Sequence, residues 1–274
     1  MKYVAPLRYD VIFKKAFCDG DIFTAFVKDA LGVTIEIDKV ETEKSFSPPI
    51  GRVASRFDLF AEDKKNRIIV DIQHERYPDH YDAFLHYHCA AILEQIANAE
   101  NYRPKLAVFS LIVLTSGDKH KHDVVTIDGS TELAERLDPK DRAGQGIGEI
   151  PHKVMYVCPK YVDEQTPAPI REWLRAIDDT LDEVVEEGNY QHPQVRRIFD
   201  LIERDQISPD ERARMIEEYN REQLHRETFA EGIALGEQRR NFEIARALLA
   251  AGVDITLIIQ TTGLSAEEVV ALKV

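Results

Sequence analysis

Cysteine is scarce in this chain: three among 274 residues, Cys18, Cys89 and Cys158. They are odd in number and far apart, which excludes a CxxC metal or redox motif and fits reduced thiols in a cytoplasm. Long apolar runs are missing too. The longest, Leu106 to Leu114, is interrupted by Ser110 and falls far short of the ~20 residues a bilayer span needs. Met1 to Lys15 has no unbroken apolar segment, so no targeting peptide is expected. No Walker A motif is present and no GxGxxG follows a strand, which leaves nucleotide-dependent chemistry without support. A soluble, cytoplasmic protein is expected.

Positive charge is also in short supply. The formal net charge is −14, which argues against a polyanionic partner if the charge is spread evenly. It is not. Residues 1–164 hold 22 Lys and Arg against 27 Asp and Glu, a net of −5, so residues 165–274 carry the remaining −9. Asp178, Asp179, Asp182, Glu183, Glu186 and Glu187 supply much of that excess and read as a solvated helix face. A nucleic acid would have to bind the N-terminal part.

The periodic segments follow a definite order. Val11, Phe13 and Phe17, then Ile22, Phe23, Phe26, Val27, Ala30 and Leu31, predict two short helices ending at Gly32. Alternation from Thr34 to Asp38 predicts a strand. Val53–Ala61 and Arg67–Gln73 predict two more, joined by the charged turn Glu62 to Asn66 as a β-hairpin. A long helix through Tyr81, Phe84, His88, Ile92 and Ala99 comes next. Leu106–Thr115 is apolar enough to lie in the middle of a sheet covered on both faces. Ser116–Ile150 reads as an irregular excursion with a strand at Val124–Ile127, and Lys153–Val157 as a last strand. Beyond about residue 165 all periodicity is helical: Ile170–Val185, Pro193–Glu203, Pro209–Arg226 and Phe242–Ala251. Asp254 is the expected N-cap of a short helix closed by Gly263, and Ser265 with Glu268 forms a capping box for the last one.

Residues two apart in a strand share a face, so Asp71 and Gln73 project together from the second hairpin strand. Pairing across the turn can bring Asp58 onto the same surface. Two facing carboxylates repel unless a divalent cation or an extra proton sits between them. Carboxylate oxygens are what Mg²⁺ prefers, and such an ion can generate a hydroxide and stabilise a phosphoryl centre. An ordinary charged hairpin with its polar face in water explains the same spacing. A zinc reading of His74, His80, His86, His88 and Cys89 is disfavoured, because His86 and His88 point to different sides of a helix and no HExxH occurs. Lys14, Lys15, Arg52 and Arg56 are the candidates for phosphate contact. The terminal helices allow a helix-turn-helix, but Phe242–Val274 carries a net charge of −2, which favours oligomer contact over DNA.

Several segments together tip the balance between the two readings of the hairpin. Asp10-Val-Ile-Phe-Lys-Lys-Ala-Phe17 resembles the Asp-x-x-Phe-Lys-x-x-Phe opening of the PD-(D/E)XK recombination-promoting nuclease and transposase family. Arg56-Phe-Asp58-Leu and Ile69-Val-Asp71-Ile-Gln73 resemble its hairpin acids, and Met155 to Tyr161 its late strand ending in Pro-Lys-aromatic. Glu231 to Glu237, Ala245 to Gly252 and Thr262 to Glu267 are similar to its C-terminal helices, so the likeness runs nearly end to end.

The resemblance implies a restriction-endonuclease-like α/β fold, a mixed sheet flanked by helices and followed by an all-helical C-terminal region. It implies Mg²⁺, or Mn²⁺, held by Asp58 and Asp71 with Asp10 from the first helix, and Gln73 standing where the wider superfamily has Lys. Position 71 is Asp where the family more often has Glu, and the basic pair that usually opens the helix after the hairpin is absent near Asp82-Ala83. The domains expected are a nuclease-like 1–165, a helical extension 166–230 and an oligomerising module 231–274. The function expected is metal-dependent DNA cleavage, with DNA as partner and a homo-oligomer formed through the C-terminal helices. The rival is an inert interaction module of the same fold.

Overall fold

The structure is a computed structural model that describes residues 1–46, 55–74, 80–96, 104–126, 142–143 and 150–272. Arg52, the predicted start of a strand at Val53, and residues 127–141 of the 116–150 excursion lie outside the described residues.

A two-residue strand β1 (Lys2–Tyr3) precedes helices α1 (Asp10–Phe17) and α2 (Gly20–Leu31). Asp19 caps α2 by accepting from the backbone N–H of Asp21 and Ile22, and Gly32 ends it at φ 69°. Then come β2 (Glu41–Phe46), β3 (Ser55–Glu62), β4 (Asn66–Gln73), α3 (His80–Ile96), β5 (Ala107–Leu114), β6 (Val124–Thr126) and β7 (Lys153–Val157). These strands make one mixed sheet of order β2-β3-β4-β5-β7-β6. β2, β3 and β4 are antiparallel neighbours, β4–β5 and β5–β7 pair in parallel, and β6 closes the edge antiparallel to β7. The β3–β4 turn holds because the Asp63 carboxylate accepts from the backbone N–H of Lys65 and Asn66, both at 2.7 Å.

The expected strand at Thr34–Asp38 is not one; the strand is β2, a few residues on. Of its residues Glu41-Thr-Glu-Lys-Ser-Phe46 only Phe46 is buried. A polar, charged strand is what an edge position tolerates, and it leaves no alternation to read. The predicted helix over Ile170–Val185 is shorter as well. It stops as α4 (Ala168–Asp179), and Val184–Val185 (β8) pairs with β1 instead.

One face of the sheet carries the main core. Leu59, Ala61, Ile68, Val70, Leu111, Val113, Met155 and Val157 meet Ile12, Phe13, Phe17, Phe23 and Phe26 there. Trp173 of α4 and Phe199 of α5 (Pro193–Leu201) join the same cluster, and Trp173 packs 5.2 Å from the Phe26 ring. Phe13 and Phe17 stack at 4.3 Å on one side of α1, and Phe17 packs 4.9 Å from the Phe26 ring of α2 and 6.3 Å from Trp173, contacts that fix the rotation of α1 about its axis. The other face packs Phe46, Phe57, Phe60, Ile69 and Val108 against Ala91 of α3. After β7, Tyr161 lies over Gly117. A Cβ there would stand 2.5 Å from the ring, and φ 72° also favours glycine.

The chain forms two compact units, Met1–Met215 and Ile216–Val274. Helix α6 runs unbroken from Pro209 to Ala250, where two separate helices, Pro209–Arg226 and Phe242–Ala251, were predicted. In the second unit α7 (Ile255–Thr262) and α8 (Ala266–Ala271) fold back on the end of α6, burying Ala245, Ile258, Leu264 and Val269. Gly252, at φ 75°, ends α6 in a Schellman turn, with Val253 N–H donating to the Leu248 carbonyl and Gly252 N–H to that of Leu249. The capping box of Ser265 and Glu268 and the caps Asp254 and Gly263 are present as the residues imply.

Candidate active site

The β3–β4 ladder stops at Leu59↔Val70, and the next position in the register brings Asp58 opposite Asp71. There the side chains replace the ladder. The Asp58 N–H donates to Asp71 Oδ1 at 2.9 Å, and the Ile72 N–H donates to Asp58 Oδ2 at 3.0 Å. Each carboxylate thus accepts an N–H from the other's strand, which satisfies backbone donors that would otherwise be buried without partners. The alternation of β3 breaks at the same place. Phe57 and Phe60, three residues apart, belong to one core cluster, while Leu59 and Ala61 belong to the opposite one.

β2 is disturbed beside it. Thr42 pairs with Leu59 and Lys44 with Phe57, but Glu43, between them and level with Asp58, sits at φ 57°. A non-glycine residue in this region is uncommon and costs about 1–3 kcal/mol. The departure delivers the Glu43 carboxylate to the cluster. Asp10, Glu43 and Asp58 each present an oxygen within 4.8 Å of the others. Asp10 comes from the first turn of α1, where a carboxylate is favoured by the helix dipole.

The Lys14 ammonium lies among them. It is 2.7 Å from Asp10 Oδ1 and 3.3 Å from Asp58 Oδ1, and it also bonds Glu43. Its side chain is only 12% exposed. Burial pulls Lys14 toward neutrality, but the Asp58 charge and the hydrogen bonds to Asp10 and Glu43 prevail and raise its pKa. Arg56, largely exposed, pairs with Glu43 from outside. Burial works against Glu43 ionising, yet its bonds to Arg56 and Lys14 hold it below the usual carboxylate range. Asp58 is pushed up to about 6, by burial first and the Asp10 charge second. Asp71, 5% exposed, is pushed well above its ordinary value by burial and then by the Asp58 charge.

The structure therefore brings Asp10, Lys14, Asp58 and Asp71 together, with Arg56 at the margin. Gln73 shares the Asp71 face by alternation, and its backbone carbonyl accepts from Thr115 N–H at 3.0 Å. Lys15 points elsewhere: it bonds Glu211 at 2.9 Å and the Gln206 carbonyl at 3.0 Å. Sequence reasoning missed Glu43, since neither its spacing nor its polar strand marks it out. Among the histidines, His88 is buried against Ser110, and burial lowers its pKa to about 3. Among the described residues it joins no cluster of metal-binding type.

Three carboxylate oxygens suit a hard divalent cation. Mg²⁺ takes oxygen ligands at about 2.0–2.1 Å, and three carboxylates that converge on one point are a donor set that fits it.

A mixed sheet flanked by helices, followed by a helical C-terminal region, is consistent with a nuclease-like fold carrying a helix-turn-helix at its end. Residues 238–274 match the model described as the C-terminal HTH domain of the Rpn/YhgA-like nuclease family. The match supports the Rpn/YhgA recombination-promoting nuclease family for this chain and identifies the terminal helices, for which charge alone favoured oligomer contact over DNA, with a helix-turn-helix. Charge bears on what such a module binds and does not set its fold. No curated protein and no solved structure matches the chain. No described helix is long and apolar enough to cross a membrane.

The raised acids make a testable statement about pH. In the folded state Asp58 and Asp71 keep protons that the unfolded chain releases above its ordinary carboxylate value of 3.8. The contribution of Asp58 to stability is therefore full at low pH and is lost as pH rises through about 6, and that of Asp71 likewise declines as pH rises above 3.8. Asp71→Asn retains the acceptor for Asp58 N–H and removes the titration. In metal-free buffer its Tm should gain on wild type as pH rises from about 4 to about 7. A difference that stays flat or moves the other way, followed by circular dichroism, contradicts this electrostatic description.

Proposed function

We propose that the chain is a divalent-metal-dependent DNA endonuclease whose site is the carboxylate cluster at the β2–β3–β4 seam. The observation that carries this reading is the convergence of Asp10, Glu43 and Asp58 on one point, backed by the buried Asp71. Mg²⁺ or Mn²⁺ would be held by Asp58, Asp10 and Glu43. Asp71 aligns Asp58 through its backbone N–H and adds negative charge behind it. Glu43 compensates for the short reach of an Asp at position 71. When bound, the ion supplies an activated water and stabilises charge at the phosphorus. Gln73 offers a neutral amide that can orient the water or a phosphate oxygen, and Arg56 offers an exposed guanidinium to the DNA backbone. The helix-turn-helix match at residues 238–274 supports DNA as the partner.

Nicking of supercoiled plasmid tests the reading. Asp58→Ala and Asp71→Ala should each lower the rate by at least about 10²–10³-fold, and Gln73→Ala by a similar factor, whereas Gln73→Lys should cut as fast as wild type or faster. Mg²⁺ or Mn²⁺ should support the reaction, while Ca²⁺ and EDTA should not. Wild-type rates in Asp58→Ala, or activity that survives EDTA, contradict the mechanism.

A second reading, association of copies through the C-terminal helices, is favoured by the exposed apolar residues of α6. Ile216 is 60% exposed, and Leu224, Phe229, Ile233 and Leu235 stand open on the same helix. Truncation after Met215, which removes all five, should lower the oligomeric state measured by light scattering. Full-length and truncated chains of equal stoichiometry contradict it.

A further inference from the structure

Lys14 and Lys15 are adjacent in sequence and have opposite assignments. Lys15 is tied to the first unit by the Glu211 carboxylate and the Gln206 carbonyl. Among the described residues, Asp10, Glu43 and Asp58, the same three acids that converge on one point, are the ion-pair partners of Lys14. Three oxygens within 4.8 Å of one another leave a centre less than 3 Å from each, and that is the distance at which an ammonium makes charge-assisted bonds. The ammonium therefore stands where an ion shared by these carboxylates would stand. A divalent ion and an ammonium cannot occupy that volume together, since both are positive and both need the same oxygens. The lysine stem has four flexible carbons, so its head can leave the centre while Cα stays fixed on α1.

We infer that Lys14 is the resident cation of the cluster, which an incoming divalent metal must displace, and that the displaced ammonium then serves the phosphate being cleaved. This rests on the divalent-metal reading of the site. In the free protein Lys14 lets the acids stay close without an external ion. In the loaded protein it supplies, from α1, the positive charge that Gln73 lacks on β4. Arg56 does not compete for this role, because it approaches Glu43 from the exposed side.

The test is Mn²⁺ binding by calorimetry to wild type, Lys14→Met and Lys14→Arg, with thermal melts on each and plasmid nicking at saturating Mn²⁺. Lys14→Met should bind Mn²⁺ about 10–100-fold more tightly than wild type, the range over which groups touching metal ligands shift affinity. Its metal-free Tm should fall and recover on adding Mn²⁺, while its nicking rate at saturation drops by about 10²-fold or more. Lys14→Arg keeps the charge and grips the carboxylates with a planar fork, so it should bind Mn²⁺ more weakly than wild type. It also covers the case in which Lys14→Met does not fold. Equal or weaker binding by Lys14→Met, or by Lys14→Arg unchanged from wild type, overturns the displacement while leaving the metal site standing. Wild-type nicking by Lys14→Met at saturation overturns the phosphate role. Absence of Mn²⁺ binding in wild type and both variants overturns this inference together with the metal reading itself.

Discussion

Two carboxylates share the seam where the β3–β4 ladder ends, and each is held there by the other strand's backbone. Burial raises both acids above the ordinary carboxylate range, and the Asp10 charge beside Asp58 and the Asp58 charge beside Asp71 add to it. The surroundings follow from that constraint. The Lys14 ammonium offsets the charge, Asp10 anchors the ammonium from the first turn of α1, and Glu43 leaves the regular strand conformation to join them. Strain of this kind survives only where the fold holds it in place, and here the pairs on either side of Glu43 and the packed Phe57 and Leu59 do so.

The core exists to hold this arrangement still. The packing of Phe17 against Phe26 and Trp173 sets the rotation of α1, and α1 sets where Asp10 and Lys14 can reach. β4 lies between an antiparallel and a parallel partner, so the position of Asp71 is fixed from both sides. The second unit is built by a different logic, from glycine C-caps and a capping box around a small apolar cluster. Its match to a helix-turn-helix model couples the nuclease-like sheet to a module of a DNA-binding class. The module's scarcity of basic residues bears on how strongly it can hold phosphate, not on whether it folds.

Legibility in the sequence tracked how local the cause was. The hairpin could be read because Asp63 and Asn66 make its turn and because the apolar run around Asp71 marks a buried strand. β5 could be read from its unbroken apolar run, and the terminal caps from Gly252, Asp254, Gly263, Ser265 and Glu268. β2 could not, since an exposed edge strand needs no alternation. The pairing of Val184–Val185 with Lys2–Tyr3 spans the length of the first unit and leaves no local mark. The sequence predicts α6 as two helices because its middle carries no periodic apolar face, and that stretch is exposed. Asp10, Asp58 and Asp71 were found through family resemblance combined with strand spacing. Glu43 was not found, because a positive φ inside a charged strand has no signature in residue type.

The central claim is that these carboxylates form a divalent-metal centre. Locating Mn²⁺ by its anomalous scattering in crystals of the full chain tests it most directly. The account predicts a peak coordinated by the carboxylate oxygens of Asp10, Glu43 and Asp58 that is lost in Asp58→Ala. A peak bound elsewhere, or a peak unchanged in Asp58→Ala, would contradict it.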